Sequence, residues 1–246
     1  MWFWFAVIAL LCWSGSDLFS KIGCQDEKDK YSHLKMVTAV GIVMGLHAAY
    51  EIFFGGVEIN LSIILTYLPV SALYIVSMAV GYLGLRYIEL SISSPICNSS
   101  GAIVAVLTII TVGIGDEVPP VALVAVALVC IGVIGLGFTE ANEDEELRRA
   151  RQDASNRHYA KSWIAIFIPI VYCLLDALGT FADSRVLELI DEDSANVAYE
   201  LTFFIVGLVS LFYVTVVKKQ RLVAKQEAPK YTGAIFETIG QFFYIY

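Results

Sequence analysis

The chain has 246 residues, of which 58% are hydrophobic and 16% are charged, and its formal net charge at pH 7 is −8. An average soluble domain carries about a quarter of charged residues. The charged residues here lie between long apolar runs, several of which reach the roughly 20 residues that a helix needs to cross a bilayer. This composition excludes a soluble enzyme, a nucleic-acid binder and a disordered chain. It predicts a multi-pass integral membrane protein of the cell membrane.

Eight hydrophobic segments predict an all-α helix bundle of about eight transmembrane helices. In chain order they span roughly Trp2–Lys21, Leu34–Phe54, Leu61–Leu85, Ser91–Gly113, Pro120–Phe138, Ser162–Phe181, Asn196–Val217 and a last segment from Tyr231. A charged linker, residues 139–161, separates a first five-helix unit, residues 1–138, from a second unit, residues 162–246. Gly41 and Gly45 form a GxxxG spacing in the second segment, which favours close packing against another helix.

The second unit repeats the first weakly. A shift of 159 residues produces three identities in 18 positions, the pairs Trp4–Trp163, Ala6–Ala165 and Asp17–Asp176. If the two units match in length, the second should end near residue 299, about two and a half helices beyond Tyr246. We therefore expect a C-terminally truncated chain that contains the first eight helices of a ten-helix, five-plus-five architecture.

Basic residues predict the orientation in the membrane. Fifteen of the 16 Lys and Arg residues lie in the connections that follow the first, third, fifth and seventh segments, and Arg185 is the exception. Cytoplasmic connections carry the excess of Lys and Arg, so these connections are expected inside and the N-terminus outside. The connections after the first and the sixth segments then lie on opposite faces. This arrangement indicates inverted repeats, which build two alternating states around a central site.

Three short motifs, in this order and spacing, point to a known family. They are Trp13-Ser14-Gly15-Ser16 followed by Phe19 and Lys21, the stretch Gly84–Pro95, and Gly115-Asp116-Glu117. The chain resembles the drug/metabolite transporter superfamily, EamA type. The resemblance implies a secondary carrier, a permease or exporter, of small organic solutes such as amino acids, sugars or metabolites, without ATP hydrolysis. Members usually have ten helices and cytoplasmic termini, from which this chain departs.

Ionisable groups inside a bilayer cost about 2.5–3.5 kcal/mol each on insertion scales, so each is a candidate for a solute or proton pathway. The candidates, with polar and aromatic neighbours, are Asp176, Asp17, Trp13, Asn98, Glu237 and Gln241. The alternative for Asp176 is a structural hydrogen bond between helices, and for Asp17 an interfacial ion pair with Lys21, one turn away. His47 and Glu51 form another one-turn pair, which is either a helix-end anchor or a proton relay.

The spacing of nucleophilic and metal-ligating residues predicts no enzyme. The sequence shows neither a Ser/His/Asp nor a Cys/His constellation, and we expect no metal and no cofactor. A non-transporting membrane scaffold or accessory subunit is the main alternative, and a membrane lipid-phosphate enzyme is a further one. The expected partners are a small-molecule solute, the lipid bilayer and coupling protons or sodium ions, with a second copy of the chain in a homodimer as a further candidate. No nucleic-acid partner is expected.

Overall fold

The computed structural model describes residues 2–26, 29–88, 90–113, 120–141, 144, 146, 149 and 163–245, and within them it contains helices and no strand. The helices are α1 (Trp2–Cys24), α2 (Ser32–Tyr50), α3 (Leu61–Gly84), α4 (Leu90–Cys97), α5 (Ser100–Val112), α6 (Pro120–Ala141), α7 (Trp163–Val186), α8 (Glu192–Phe212) and α9 (Ala224–Ile245). Short π-helical turns, Glu51–Gly55 and Tyr213–Val217, extend α2 and α8.

Six helical spans in the described part of the chain are long and apolar enough to cross a membrane. They are Phe3–Cys24, Ser32–Gly55, Leu61–Gly84, Ser93–Thr111, Phe167–Val186 and Glu192–Val217. Large apolar side chains such as Leu10, Leu46 and Val209 are exposed on their outer faces, which suits contact with lipid. The prediction of an all-helical, multi-pass membrane protein is thereby supported. Among the described residues six spans rather than about eight meet this measure; the part of α6 that enters it is Leu123–Gly135, and α9 is more polar than the six.

The fourth predicted segment, Ser91–Gly113, is two helices rather than one. Helix α4 ends at Cys97 and α5 begins at Ser100. Pro95 lies inside α4, where it has no backbone N–H to donate and crowds the preceding turn. The Ser99 N–H then bonds the Ile96 carbonyl at 3.2 Å, which is a tighter turn than an α-helix makes.

Two helices of the second unit begin earlier than hydropathy predicts. Helix α8 begins at Glu192 because the Asp191 side chain accepts a hydrogen bond from the Ser194 backbone N–H at 2.9 Å and caps the helix. Helix α9 begins at Ala224 rather than near Tyr231. Glu227 and Lys230 in its first two turns are buried and ion-paired, so the helix includes residues that a hydropathy profile reads as a connection.

Helices of the first unit pair with helices of the second. Helix α1 packs along α9, α2 along α8 and α3 along α7, while α4 and α5 lie against α7 and α6 lies against α4 and α5. The closest crossing is at Gly41, where an added Cβ would lie 2.6 Å from the Phe203 carbonyl oxygen and 2.8 Å from the Gly207 Cα. The prediction that the GxxxG glycines admit a close helix is confirmed, and that helix, α8, belongs to the same chain.

Several predicted features lie outside the described residues. They are most of the charged linker between the two units, residues 142–161 apart from three isolated positions, and the Gly115-Asp116-Glu117 motif. The unit boundaries at residues 138 and 162 therefore stay predictions. Cys24, placed by the sequence in a connection, is instead the last residue of α1, and its side chain is 0% exposed.

Candidate functional site

A cavity of about 270 Å³ lies in the middle of the bundle and is lined by residues of both units. Helices α1, α3, α5, α7, α8 and α9 and the α4–α5 connection contribute to its wall. All six candidates named from the sequence line this central cavity: Trp13, Asp17, Asn98, Asp176, Glu237 and Gln241. The fold thus brings together, at one place, polar and aromatic residues that are as far as 228 positions apart in the sequence, Trp13 and Gln241.

Asp17 of α1 points towards the break between α4 and α5. Its carboxylate accepts hydrogen bonds from the Ser94 hydroxyl and from the Asn98 amide, the latter at 3.3 Å. Lys21, which the sequence offered as the partner of Asp17, donates instead to the backbone carbonyl of Leu85 just after α3. The alternative of an Asp17–Lys21 ion pair is therefore wrong, and Asp17 belongs to the cavity wall.

Asp176 of α7 and Glu237 of α9 face the same cavity from other sides. Ser100 lines the central cavity with Asp176, and Ser16 lines the adjoining 50 Å³ cavity with Glu237. The lining residues that the structure describes include no Lys, Arg or His. Three carboxyl groups, counting Asp17, therefore share one cavity whose described wall has no positive charge.

Aromatic side chains form much of the remaining wall. Trp13 packs on Tyr244 with ring centroids 5.1 Å apart, and Tyr74 packs on Tyr199 at 5.8 Å. The Tyr74 hydroxyl donates to Thr180 Oγ1 at 3.1 Å. The sequence analysis did not single out these tyrosines. The spacing of the tyrosines in α3 could have indicated a shared face, because Tyr67, Tyr74 and Tyr82 recur at intervals of seven and eight residues and so lie on one side of the helix.

Two further cavities adjoin the central one. A cavity of about 210 Å³ shares Thr180, Gln241 and Tyr244 with it and extends towards the α7–α8 connection, where Glu192 lies in its wall. There Asp183 accepts a hydrogen bond from the Tyr67 hydroxyl at 2.6 Å. A smaller cavity of about 50 Å³ shares Asp17, Asn98 and Glu237 and extends towards the end of α3. The three cavities therefore adjoin one another along the bundle through these shared residues.

An ion cluster closes the bundle at the end that carries most of the basic residues. Lys35 of α2 pairs with Asp29 at 2.8 Å and with Glu227 of α9 at 3.3 Å, and Lys230 pairs with Glu227 at 2.9 Å. Lys35, Glu227 and Lys230 are buried. The larger side cavity, of about 210 Å³, extends away from this cluster towards the α7–α8 connection.

A second polar cluster, in which Glu200 is buried and His47 and Glu51 are partly exposed, lies apart from these cavities between α2 and α8. His47 Nδ1 is 2.9 Å from Glu200 Oε1 and 3.0 Å from Glu200 Oε2, and its Nε2 is 3.6 Å from Glu51 Oε1. The sequence paired His47 with Glu51, whereas the closer partner is Glu200, whose side chain is 0% exposed. Glu200 was missed because it lies close to other charged residues near the start of the seventh segment.

No group of three or more His, Cys, Asp and Glu side chains in the described part of the chain is arranged to hold a metal ion. Comparison of the chain with protein-family models, with curated proteins and with solved structures finds no match. The functional conclusion therefore rests on the geometry of the cavity, and the resemblance to the drug/metabolite transporter superfamily stays a proposal.

Proposed function

We propose that the protein is a secondary carrier of small organic solutes that works by alternating access, of the EamA type within the drug/metabolite transporter superfamily. The observation that carries the proposal is the central cavity, into which both units direct carboxyl groups: Asp17, Asp176 and Glu237. Carboxyl groups are costly within a membrane, and where they face an internal cavity they mark a substrate or ion pathway.

The arrangement of the helices supports an inverted repeat. Helices α1, α2 and α3 correspond in order to α7, α8 and α9, and the middle helix of each set ends in a five-residue π-helical turn. If each helix is replaced by its counterpart in the other set, the α1–α9 pair becomes the α7–α3 pair, and the α2–α8 pair stays the same. These three pairs are the helix pairs that pack most extensively. Such an exchange is the property of a two-fold axis in the membrane plane. If α6 and α9 are counted as spans, the described part of the chain would contain eight transmembrane segments.

The uneven access to the cavity supports alternating states. The buried ion cluster of Lys35, Glu227 and Lys230 joins α2 to α9 at one end, while the wider side cavity lies at the other. Opening of the closed end would require the pairs around Glu227 to separate. The cavity carboxyl groups supply sites where coupling protons or sodium ions bind and leave during the cycle.

Solute exchange in liposomes tests the proposal. The protein is reconstituted into liposomes that are loaded in turn with unlabelled amino acids, sugars, organic cations and organic anions, and entry of the labelled solute is followed. A carrier exchanges at least one of these solutes faster than protein-free liposomes do. A scaffold or accessory subunit exchanges none, even when its cooperative thermal unfolding shows that it is folded.

A further inference from the structure

We infer that the connection between α8 and α9 binds the head group of an anionic phospholipid. The inference concerns the outer surface of the bundle and not its central cavity, and it holds whether or not the protein carries solutes. Three features of the connection carry it, which are its basic side chains, the tyrosine rings around Lys218 and the exposed apolar side chains on both sides.

The positive charge of this connection is not neutralised by neighbouring acids. Residues 218–226 contain four exposed basic side chains and no acidic one: Lys218, Lys219, Arg221 and Lys225. None of the four forms an ion pair with another described residue, and the next acid, Glu227, is buried and paired with Lys35 and Lys230. A phosphate group that approaches the connection therefore meets positive charge for which no described carboxylate competes.

The ends of the two helices do not account for these charges. Cations stabilise the carbonyl end of a helix, which is where Lys218 and Lys219 lie in relation to α8. Lys225, however, lies in the first turn of α9, where a helix favours an anion. Lys219 has a φ of 51°, in the left-handed region where glycine is the usual residue at a helix end. The basic residues are thus kept against the local preferences of the backbone, which points to an external anion.

Two tyrosine rings hold the Lys218 ammonium group in place. Its Nζ is 5.2 Å from the centroid of the Tyr213 ring and 5.9 Å from that of the Tyr31 ring, and the two rings pack edge to face. Attraction between a cation and an aromatic face acts within about 6 Å. Tyr213 follows α8 and Tyr31 precedes α2, so two helices position the ammonium group. Tyrosine is enriched at the depth of the lipid head groups, which is where a lipid phosphate lies.

The apolar neighbours of the basic residues favour a lipid over a soluble anion. Val216 and Val217 end the apolar span Glu192–Val217, and Leu222 and Val223 follow the basic residues. Between 44% and 56% of each of these four side chains is exposed. Segments that combine basic and apolar side chains lie in the membrane interface, where the charges meet anionic head groups and the apolar groups meet acyl chains. A free phosphate ion supplies only the first of these contacts.

Native mass spectrometry with two matched lipids tests the inference. The protein in a neutral detergent is titrated with phosphatidylglycerol, which is anionic, or with phosphatidylcholine of the same acyl chains, which is zwitterionic, and the bound lipid is counted. We expect phosphatidylglycerol to bind at least tenfold more tightly. Equal binding of the two lipids, or no binding of phosphatidylglycerol, would overturn the inference.

Inorganic phosphate distinguishes a lipid site from a site for a free anion. It is added to the protein–phosphatidylglycerol complex at the concentration of the lipid. We expect no displacement, because phosphate makes no contact with the apolar side chains. Displacement of the lipid by phosphate would overturn the assignment to a phospholipid.

Variants locate the binding site. A basic residue near an anionic surface strengthens binding about fivefold, so Lys218→Gln and Arg221→Gln should each weaken phosphatidylglycerol binding by about this factor. The double variant should weaken it at least tenfold, while Lys218→Arg keeps the charge and retains binding. Arg185→Gln, at an exposed cation near the α7–α8 connection, is the matched control and should bind like wild type. Thermal unfolding shows that each variant is folded. Unchanged binding by the folded double variant, or an equal loss in Arg185→Gln, would contradict the site.

Discussion

Gly41 of α2 and Gly207 of α8 cross so closely that a Cβ added at Gly207 would lie 2.9 Å from the Gly41 Cα. The atoms that a side chain would meet there belong to the backbone, which has little room to move. This crossing joins the two units near the middle of the bundle, and helix pairs in membranes approach in this way only where small residues permit it.

Gly41→Ala should therefore destabilise the protein, by about 1–3 kcal/mol as is typical of overpacking. Gly132→Ala is the matched control, because a Cβ at this α6 glycine meets nothing within 4 Å. The control should unfold at the wild-type temperature or slightly above it. Thermal unfolding in detergent checks both variants, and equal melting temperatures for the two would show that the crossing is looser than described.

His47 and Glu200 should contribute to the stability of the fold only when both side chains are present. His47→Leu leaves the buried Glu200 carboxyl group without its closest hydrogen-bonding partner, and leaving a buried polar group unpaired costs about 1–3 kcal/mol. The double variant His47→Leu/Glu200→Leu removes both polar groups and should recover much of that loss. A double variant that is less stable than His47→Leu alone would contradict the pairing. Denaturation of the three proteins in one detergent measures the coupling.

The cap of α8 should give a defined pH dependence. The hydrogen bond from the Ser194 backbone N–H holds the pKa of Asp191 below its usual range. Because the pKa in the folded protein is lower than in the unfolded chain, the stabilisation is present above the unfolded pKa, about 3.9, and is lost as the pH falls through the folded pKa. Asp191→Ala should cost about 1 kcal/mol at neutral pH. Unfolding at pH 7 and in acid should show the difference from wild type shrinking, and a constant difference would contradict it.

Membrane orientation requires engineered cysteines, because Cys24 is buried and a thiol reagent will not reach it. Glu58→Cys, between α2 and α3, and Gln220→Cys, between α8 and α9, are both exposed positions on opposite ends of the bundle. If the basic connections are cytoplasmic, an impermeant maleimide labels Glu58→Cys in intact cells and labels Gln220→Cys only after the cells are opened. The reverse pattern would place the N-terminus inside, as is usual for the family that the chain resembles.

Much of the fold could be predicted from the sequence, since charge-free runs mark helices whatever their neighbours are. Helix ends were less predictable from the sequence. A capping residue such as Asp191 or a buried ion pair such as Lys230–Glu227 stabilises helical turns made of charged residues, so the helix begins earlier than the apolar run does. The break after Cys97 needed more than the presence of Pro95, since α3 and α7 contain Pro69 and Pro169 and continue through them.

The residues of the candidate site could be predicted from the sequence, but their arrangement in space could not. Polar groups in apolar helices, such as Asp176 and Glu237, stand out in the sequence because burying them in a membrane is costly. Tyrosines such as Tyr74 and Tyr199 do not stand out in the sequence, because tyrosine is a usual residue both at the lipid head groups and inside a helix bundle. The partner of Asp17 was mistaken because sequence spacing reveals contacts along one helix, whereas Ser94 and Asn98 approach from another.

The most direct test of the central claim is solute flux driven by a proton gradient, measured with the Asp176→Asn protein. Asparagine keeps the size of the side chain and removes its ionisation, so a carrier that cycles protons through this carboxyl group loses its driving force. Glu58→Gln serves as the control at an exposed carboxylate. We expect the Asp176→Asn flux to fall at least tenfold while expression and melting temperature stay near those of wild type. Flux at the wild-type rate, with an unchanged pH dependence, would instead make Asp176 a structural hydrogen-bonding residue and contradict the account.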